Sequence, residues 1–304
     1  MKIPLVIVFA AILLALSVFG CKETPQTQEP KYGNAPKQVN DHVFSFAVHP
    51  LHNPQKLNQD YQPLIDYLNK HLNGARLELE ASRDYGSYEV KFRARTPQFL
   101  LPNPWQTLQA MKAGYRVIAM AGEPEDFRGI LVVRRDSGIS SPSDLKGKAV
   151  SYPSPTALAA CIMPQYFLHE HGIDINRDIV NRYVGSQESS IMNVYVRQTS
   201  AGATWPPPWR AFLKDHPKEA AELKIAWQTA HLINNSVMVR DDVPLPVREQ
   251  VRTALVQLRG TPEGKIILAN METARFVPAS DADYAIVSRY VARFEKEVRP
   301  VEQK

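Results

Sequence analysis

Apolar and polar positions alternate along this chain in two different periods, after an N-terminal block that is almost wholly apolar at residues 5–19. From residue 42 onward, short apolar runs of strand length are separated by segments whose apolar residues fall at helical spacing. Helical spacing is clear at residues 61–68, where Asn73-Gly74 ends the helix, and again from Pro104 to Gly114. The predicted strands of this region are residues 43–48, 76–80, 98–101 and 116–121.

This order of elements predicts the fold class. Strands that alternate with helices favour an α/β fold with a largely parallel sheet. Two similar strands, residues 129–136 and 236–242, both end in Arg and Asp and bracket a segment with its own strand and helix pattern. We interpret them as crossover strands between two lobes, although strands that end in charge are common and the similarity can be coincidence.

The domain boundaries follow from that interpretation. We predict a first lobe at residues 42–132, to which residues 236–304 return, and a second lobe at residues 133–235. Three C-terminal segments have apolar residues on one helical face and are expected to pack on the first lobe. They are residues 246–258, 262–269 and 280–298.

The N-terminal block has the features of a lipoprotein export signal. Lys2 supplies a positive charge, the apolar run is shorter than the roughly 20 residues of a membrane span, and Gly20 precedes Cys21. We predict cleavage of residues 1–20, a lipid on Cys21, and a disordered tether at residues 22–41, which are polar and rich in Pro and Gln. An uncleaved anchor helix is the alternative. Either way the remaining chain is expected at a periplasmic or other extracytoplasmic membrane face.

Composition and motifs exclude several functions. The net charge of +5 is spread along the chain, and no basic tract indicates nucleic-acid binding. Cys161 is the only cysteine besides Cys21, so no intrachain disulfide is expected, and its apolar surroundings favour a buried, inert thiol. His169-Glu170-His171 places its histidines two apart, which on a helix point in different directions. No hydrolase elbow or phosphate-binding loop occurs, so we predict no enzyme activity, no metal and no cofactor.

Several segments together resemble a known family. They are residues 61–68 (YQPLIDYL), Asp84-Tyr85, residues 136–139 (DSGI), and residues 143–148 (SDLKGK) with the strand at 149–152. In this order and spacing the chain resembles the substrate-binding proteins of phosphate, phosphite and phosphonate ABC importers, from about residue 44 to residue 290. The resemblance implies a two-lobed type 2 periplasmic-binding fold with two crossover hinge strands. It also implies a small oxyanion ligand, an ABC permease as partner and a monomer.

The anion turn of the family corresponds to residues 153–158 (PSPTAL), where the hydroxyls of Ser154 and Thr156 remain. Ser154 is a good N-cap, so we predict a helix over residues 154–168 with a kink at Pro164. The N–H groups of Thr156 and Ala157 would then face an anion. The alternative is that Ser154 only caps its own helix.

Other candidate ligand-binding residues lie at ends of predicted strands. The resemblance places Tyr85 against the ligand, although a half-buried surface tyrosine is the alternative. Asn103 precedes a helix and offers a second cradle or an ordinary cap. One of His49 and His52 can contact an anion, and the other is expected on the surface loop. Gln187 replaces a histidine of the family, which should reduce the pH dependence of binding. The further candidates are Thr204 and Trp205.

Trp205 and Trp209 flank three prolines, which we interpret as a rigid polyproline step. We expect Trp205 to line the pocket and Trp209 to pack on its lobe, although both rings can simply pack. An aromatic pocket favours a ligand with an organic substituent. We therefore predict a lipid-anchored protein that captures a phosphonate or phosphite-like oxyanion and delivers it to an ABC importer. The alternative is a sensor or accessory lipoprotein of the same fold without a transport role.

Overall fold

The computed structural model describes residues 42–302. The predicted signal peptide, Cys21 and the tether at residues 22–41 lie outside the described residues. Within residues 42–302, no helix combines the length and the apolar character that crossing a membrane requires.

The described strands are short and most have a helix between them. They are β1 (His42–Val48), β2 (Ala75–Glu80), β3 (Phe99–Leu101), β4 (Tyr115–Ala121), β5 (Ile130–Arg134), β6 (Ala149–Tyr152), β7 (Val180–Tyr183), β8 (Ala201–Thr204), β9 (Leu223–Gln228), β10 (Ser236–Arg240) and β11 (Phe276–Pro278).

The helices include one at each of the six places that the sequence predicted and several that it did not predict. They are α1 (Pro54–Asn69), α2 (Tyr85–Arg93), α3 (Pro104–Lys112), α4 (Met163–Glu170), α5 (Gln187–Tyr195), α6 (Pro206–Asp215), α7 (Pro217–Ala221), α8 (Leu245–Gln257), α9 (Pro262–Asn270) and α10 (Ala285–Glu297). A π-helical turn, Leu158–Ile162, runs directly into α4. Helices α2, α5, α6 and α7 were missed; α2 and α5 supply residues to the site described below, and α6 begins directly after Trp205.

The strands form two mixed sheets, and each sheet is the centre of one lobe. The first sheet has the order β11-β4-β10-β3-β1-β2, and the second has the order β7-β6-β8-β5-β9. Strand β1 is parallel to both β2 and β3, and β6 is parallel to both β7 and β8. These parallel pairs are the ones that are connected through helices, as the alternating pattern predicted.

The sheets are less parallel than predicted: β11 is antiparallel to β4, and two other strands account for the remaining antiparallel pairs. Strand β10 is antiparallel to both β3 and β4, and β5 is antiparallel to both β8 and β9. Both strands enter their sheets from the other lobe rather than through a helical crossover, so nothing constrains them to run parallel. The boundary predicted between Val132 and Val133 falls inside β5, whose residues pair only within the second sheet. The change of sheet therefore lies between the end of β4 and the start of β5.

A glycine lies where this connection approaches the second lobe. A Cβ on Gly129 would lie 2.6 Å from the carbonyl oxygen of Ala159 and 2.8 Å from the Pro164 ring. These distances are too short for any side chain, so Gly129 allows the start of β5 to pack directly against the π-helical turn. The backbone of that turn is thereby held in place.

Candidate functional site

A small cavity lies between the two lobes and brings together residues from both. Six of the nine predicted ligand-binding residues line it: His49, Tyr85, Asn103, Ala157, Gln187 and Trp205. The remaining lining residues, which the sequence analysis missed, are Phe127, Leu158, Ala159, Ala160 and Asn235. The cavity has a volume of about 10 Å³ in this structure, which is room for about one water molecule.

The first lobe contributes His49 from the loop after β1. The Nδ1 atom lies 2.9 Å from the carbonyl oxygen of Leu101, and because a carbonyl only accepts, Nδ1 carries the hydrogen. Burial lowers the pKa of His49 to about 4, against a smaller opposing effect of the hydrogen bond to Leu101. His49 is therefore neutral near pH 7, and its Nε2 is an acceptor. One of the two histidines was expected on the surface, but His52 is not exposed either. Its side chain is only 10% exposed, and its Nε2 lies 3.7 Å from the carboxylate of Asp60.

Tyr85 and Asn103 are held at the starts of two helices. Asp84 caps α2 by accepting from the Ser87 N–H, which places the buried Tyr85 ring at the first position of the helix. Asn103 caps α3 through Oδ1, which accepts from the N–H groups of Trp105 and Gln106 at 3.0 and 3.1 Å. Its Nδ2 donates to the carbonyl of Thr156 across the cleft at 3.2 Å. Asn103 therefore serves as a cap and as a contact between the lobes.

The anion turn differs from the prediction. The helix does not begin at Ser154, because the Ala157 N–H donates to the Ser154 carbonyl and the Thr156 N–H donates to the Ser154 hydroxyl. These bonds close a tight turn and use the two amides that were expected to face an anion. Regular structure begins at Leu158 as a π-helical turn and becomes α-helical at Met163. Pro164, which has no N–H, follows directly and marks the change of helix type in place of the predicted kink in a continuous helix.

The displaced helix start provides different donors at the cavity. The N–H groups of the first turn of a helix have no carbonyl partner within that helix. Here Leu158, Ala159 and Ala160 belong to that first turn and line the cavity. The backbone amides available to an anion therefore lie a few residues further along than the sequence predicted.

Gln187 and Tyr85 are linked across the cleft. The hydroxyl of Thr204 donates to Gln187 Oε1 at 2.9 Å, which directs Nε2 toward the hydroxyl of Tyr85 at 3.1 Å. Because the Tyr85 oxygen accepts this bond, its own hydrogen is available to a ligand. Burial raises the pKa of Tyr85, so the phenol stays protonated. Thr204 thus lies one bond behind the cavity and orients Gln187 rather than lining the space itself.

Ser154 and Thr156 also lie behind the cavity wall. The Thr156 hydroxyl donates to Glu89 Oε1 at 2.6 Å and lies 3.0 Å from the Ser154 hydroxyl. Glu89 belongs to α2 of the first lobe and also accepts from Gln106 Nε2 at 3.2 Å. Burial raises the pKa of Glu89, and the hydrogen bonds from Thr156 and Gln106 partly oppose this rise. No sequence motif indicated this buried carboxyl group, because its position depends on the missed helix α2.

The aromatic side of the cavity is formed by Trp205 and Phe127, whose ring centroids are 5.4 Å apart. The three prolines after Trp205 are not a polyproline step: they form the first turn of α6, where proline is well tolerated. Trp209 stacks on Phe212 at 6.0 Å in the core of the second lobe, as expected.

Asn235 is a further residue that the sequence analysis did not identify. It lies directly before β10, is 3% exposed and lines the cavity. Its Oδ1 is buried and has no hydrogen-bond partner among the described residues. Because an amide oxygen only accepts and leaving it unpaired costs free energy, this atom suits a hydrogen-bond donor, such as a protonated oxygen of a ligand or a water molecule, rather than a charged oxygen.

The cavity wall contains neutral hydrogen-bonding groups. Neither Lys nor Arg is among the described residues that line it. Phenol, amide and backbone N–H donors converge on one space with an aromatic side, an arrangement that can hold a small anion by hydrogen bonds and dipoles. Among residues 42–302, no group of three or more His, Cys, Asp or Glu side chains is arranged to hold a metal ion.

Two mixed sheets with a polar cavity between them define the class of protein, a two-lobed solute-binding protein of the periplasmic-binding fold. A family model described as the periplasmic phosphonate substrate-binding protein of an ABC transporter matches residues 46–284. The chain belongs to this family, whose members are transporter components that bind substrate.

Individual relatives agree with this assignment. The chain is 22% identical over 299 residues to the probable ABC transporter phosphite binding protein PhnD1 of Prochlorococcus marinus strain MIT 9301, covering 93% of this chain and 95% of the relative. The structure of PhnD1 in complex with methylphosphonate has a TM-score of 0.76 at 20% identity and matches 84% of this chain and 98% of that chain. A binding component of an ABC phosphonate transporter from Pseudomonas aeruginosa has a TM-score of 0.76 at 15% identity, with 84% and 88% covered.

Proposed function

We propose that this protein captures a small phosphonate or phosphite-like oxyanion between its lobes and delivers it to an ABC permease. The arrangement of neutral donors around the cavity supports the proposal most directly. The first turn at Leu158–Ala160, whose N–H groups have no carbonyl partner within the helix, and the Tyr85 hydroxyl lie at one space. The proposed mechanism is capture and release. Closing the lobes brings the donors of both cavity walls into contact with the ligand, and opening them releases it.

The aromatic side of the cavity narrows the range of candidate ligands. The rings of Trp205 and Phe127 offer an apolar surface to a small substituent on the anion. Methylphosphonate, the ligand in the similar PhnD1 structure, is therefore the first compound to test.

A thermal shift panel tests this proposal. We expect methylphosphonate or phosphite to raise the melting temperature of the mature chain, while amino acids and sugars leave it unchanged. A ligand at a hundred times its Kd adds about 2.7 kcal/mol to the free energy of unfolding. Phosphate and sulfate serve as matched inorganic anions. The absence of a shift with every oxyanion would contradict the proposed ligand class and favour a sensor or accessory role.

We also propose that Cys21 carries the lipid that anchors the protein. The expected mature chain lacks residues 1–20 and is heavier by the mass of its acyl chains, and a Cys21→Ser variant retains residues 1–20. Intact-mass spectrometry of both proteins from a lipoprotein-processing host provides the measurement. Normal cleavage of the Cys21→Ser variant, or a wild-type mass without acyl groups, would rule out the anchor.

A further inference from the structure

Arg299 is a buried basic side chain close to the end of the chain. It follows α10, a helix that begins against the first lobe, yet its guanidinium reaches into the second lobe and is 8% exposed. It has no place in the family motifs or in the cavity lining.

The guanidinium contacts both ends of the segment that lines the cavity. Its Nη2 donates to the Pro155 carbonyl at 3.2 Å and lies 3.5 Å from the Cys161 sulfur. Ala157–Ala160, which line the cavity, lie between these two contacts in the sequence. The Nε atom donates to Gln165 Oε1 at 2.9 Å on helix α4. Arg299 therefore holds in place the turn and the helix start that line the cavity.

The charge of Arg299 is not balanced locally. Its remaining contacts are the carbonyls of Pro300 and Val301 and the face of the Phe294 ring, with the guanidinium carbon 5.3 Å from the ring centroid. All of these partners are neutral, and none of the ion pairs within residues 42–302 includes Arg299. An arginine stays protonated in proteins, and a buried charge without a counter-charge is costly.

One acidic side chain also contacts this segment. Glu89 accepts from Thr156, and its carboxylate would repel an anion in the cavity. Glu89 has a partial counter-charge in Arg93, whose Nη1 lies 3.6 Å from its Oε2. Arg299 has no such counter-charge among the described residues, and it contacts both ends of the segment that lines the cavity.

We propose that Arg299 is a positioning residue that supplies the positive charge for the bound anion, although it does not touch the ligand. The inference rests on the proposed function, since it requires an anion in the cavity. The anionic ligand would act as the counter-charge of this buried guanidinium. The backbone of residues 155–161 would separate the two charges, and the protein interior screens their attraction poorly.

Calorimetric titration with methylphosphonate and inorganic phosphate tests the proposal. Arg299→Gln keeps hydrogen-bonding groups but removes the charge, and we expect it to raise the Kd of the bound anion about tenfold or more. Arg299→Lys keeps the charge and should recover most of the affinity. Arg293→Gln is the matched control, because this exposed arginine on the preceding helix α10 pairs with Glu297, and the Kd of the variant should stay at the wild-type value.

The melting temperature of each unliganded variant separates charge from structure. An Arg299→Gln variant that melts earlier but binds with the wild-type Kd would overturn the inference and leave the proposed function intact. An Arg299→Lys variant as weak as Arg299→Gln would also overturn it. If Arg299→Gln fails to fold, Arg299→Met is the second neutral variant: a Kd at the wild-type value would overturn the inference, and a Kd raised about tenfold would support it. Wild-type protein that binds no anion would reject the inference together with the proposed function.

Discussion

Replacing Thr156 with valine is expected to weaken ligand binding by about 2 kcal/mol, roughly a thirtyfold rise in Kd. The hydroxyl of Thr156 in the second lobe donates to the Glu89 carboxyl of the first lobe at 2.6 Å. Valine has the same shape but no hydrogen to donate, so this oxygen of Glu89 would keep only its bond from Gln106 when the lobes close.

The location of this hydrogen bond determines whether its loss affects ligand affinity or the free energy of unfolding. Because the bond joins the two lobes, its loss penalises the closed form and should appear mainly in ligand affinity. Thr199→Val is the matched control: that buried hydroxyl lies 3.0 Å from the Ser151 hydroxyl within the second lobe. We expect Thr199→Val to lower the free energy of unfolding while leaving the Kd nearly unchanged.

A double-mutant cycle with Glu89→Gln isolates the pair. If the bond between Thr156 and Glu89 carries the effect, the second substitution should cost much less in the presence of the first. Purely additive effects on Kd, or wild-type affinity in Thr156→Val, would show that this contact does not contribute to closure.

Acidification is expected to destabilise the folded protein between about pH 6.5 and pH 4, and two histidines near the cleft account for much of the loss. Burial lowers the pKa of His49 to about 4, and burial followed by the nearby charge of Lys56 lowers the pKa of His52 to about 4. In the unfolded chain the pKa of each histidine is about 6.5. As the pH falls, the unfolded chain binds protons before the folded one, so stability present above pH 6.5 is progressively lost.

Each histidine can contribute on the order of 3 kcal/mol across this window. Denaturant unfolding at pH 7 and pH 5 measures the effect. His49→Asn can retain a donor to the Leu101 carbonyl without a titratable ring, so its stability should depend less on pH than that of the wild type. His52→Gln tests the second site, and exposed His231→Gln is the control. Equal pH dependence in all four proteins would show that buried histidines do not set acid stability.

The fold was largely predictable because local patterns determine it. Runs such as residues 43–48 and 149–152 have strand periodicity and recur as β1 and β6. The helix over α2 was missed because its start depends on one cap, Asp84, and it has little apolar periodicity. The antiparallel direction of β5 and β10 was also not predictable, since it depends on contacts between segments distant in sequence.

The candidate site was predictable only in part. Strand ends and helix starts led to His49 and Asn103, and the family resemblance led to Tyr85, Gln187 and Trp205. All five line the cavity. The start of the helix after β6 was misplaced because side-chain capping preferences suggested Ser154, whereas packing of Gly129 against Ala159 favours a later start. No local sequence pattern indicated Asn235 or Arg299. Both come late in the chain and are brought to the site by tertiary packing.

The position of Trp205 has a spectroscopic consequence. Of the four tryptophans, Trp105 is packed in the core of the first lobe, Trp209 in the core of the second, and Trp227 on strand β9. Trp205 is the one whose indole borders the cavity and contacts a second aromatic ring. With excitation selective for tryptophan, a change in emission on ligand addition should therefore come mainly from Trp205, which makes this side chain an optical reporter of occupancy without a label.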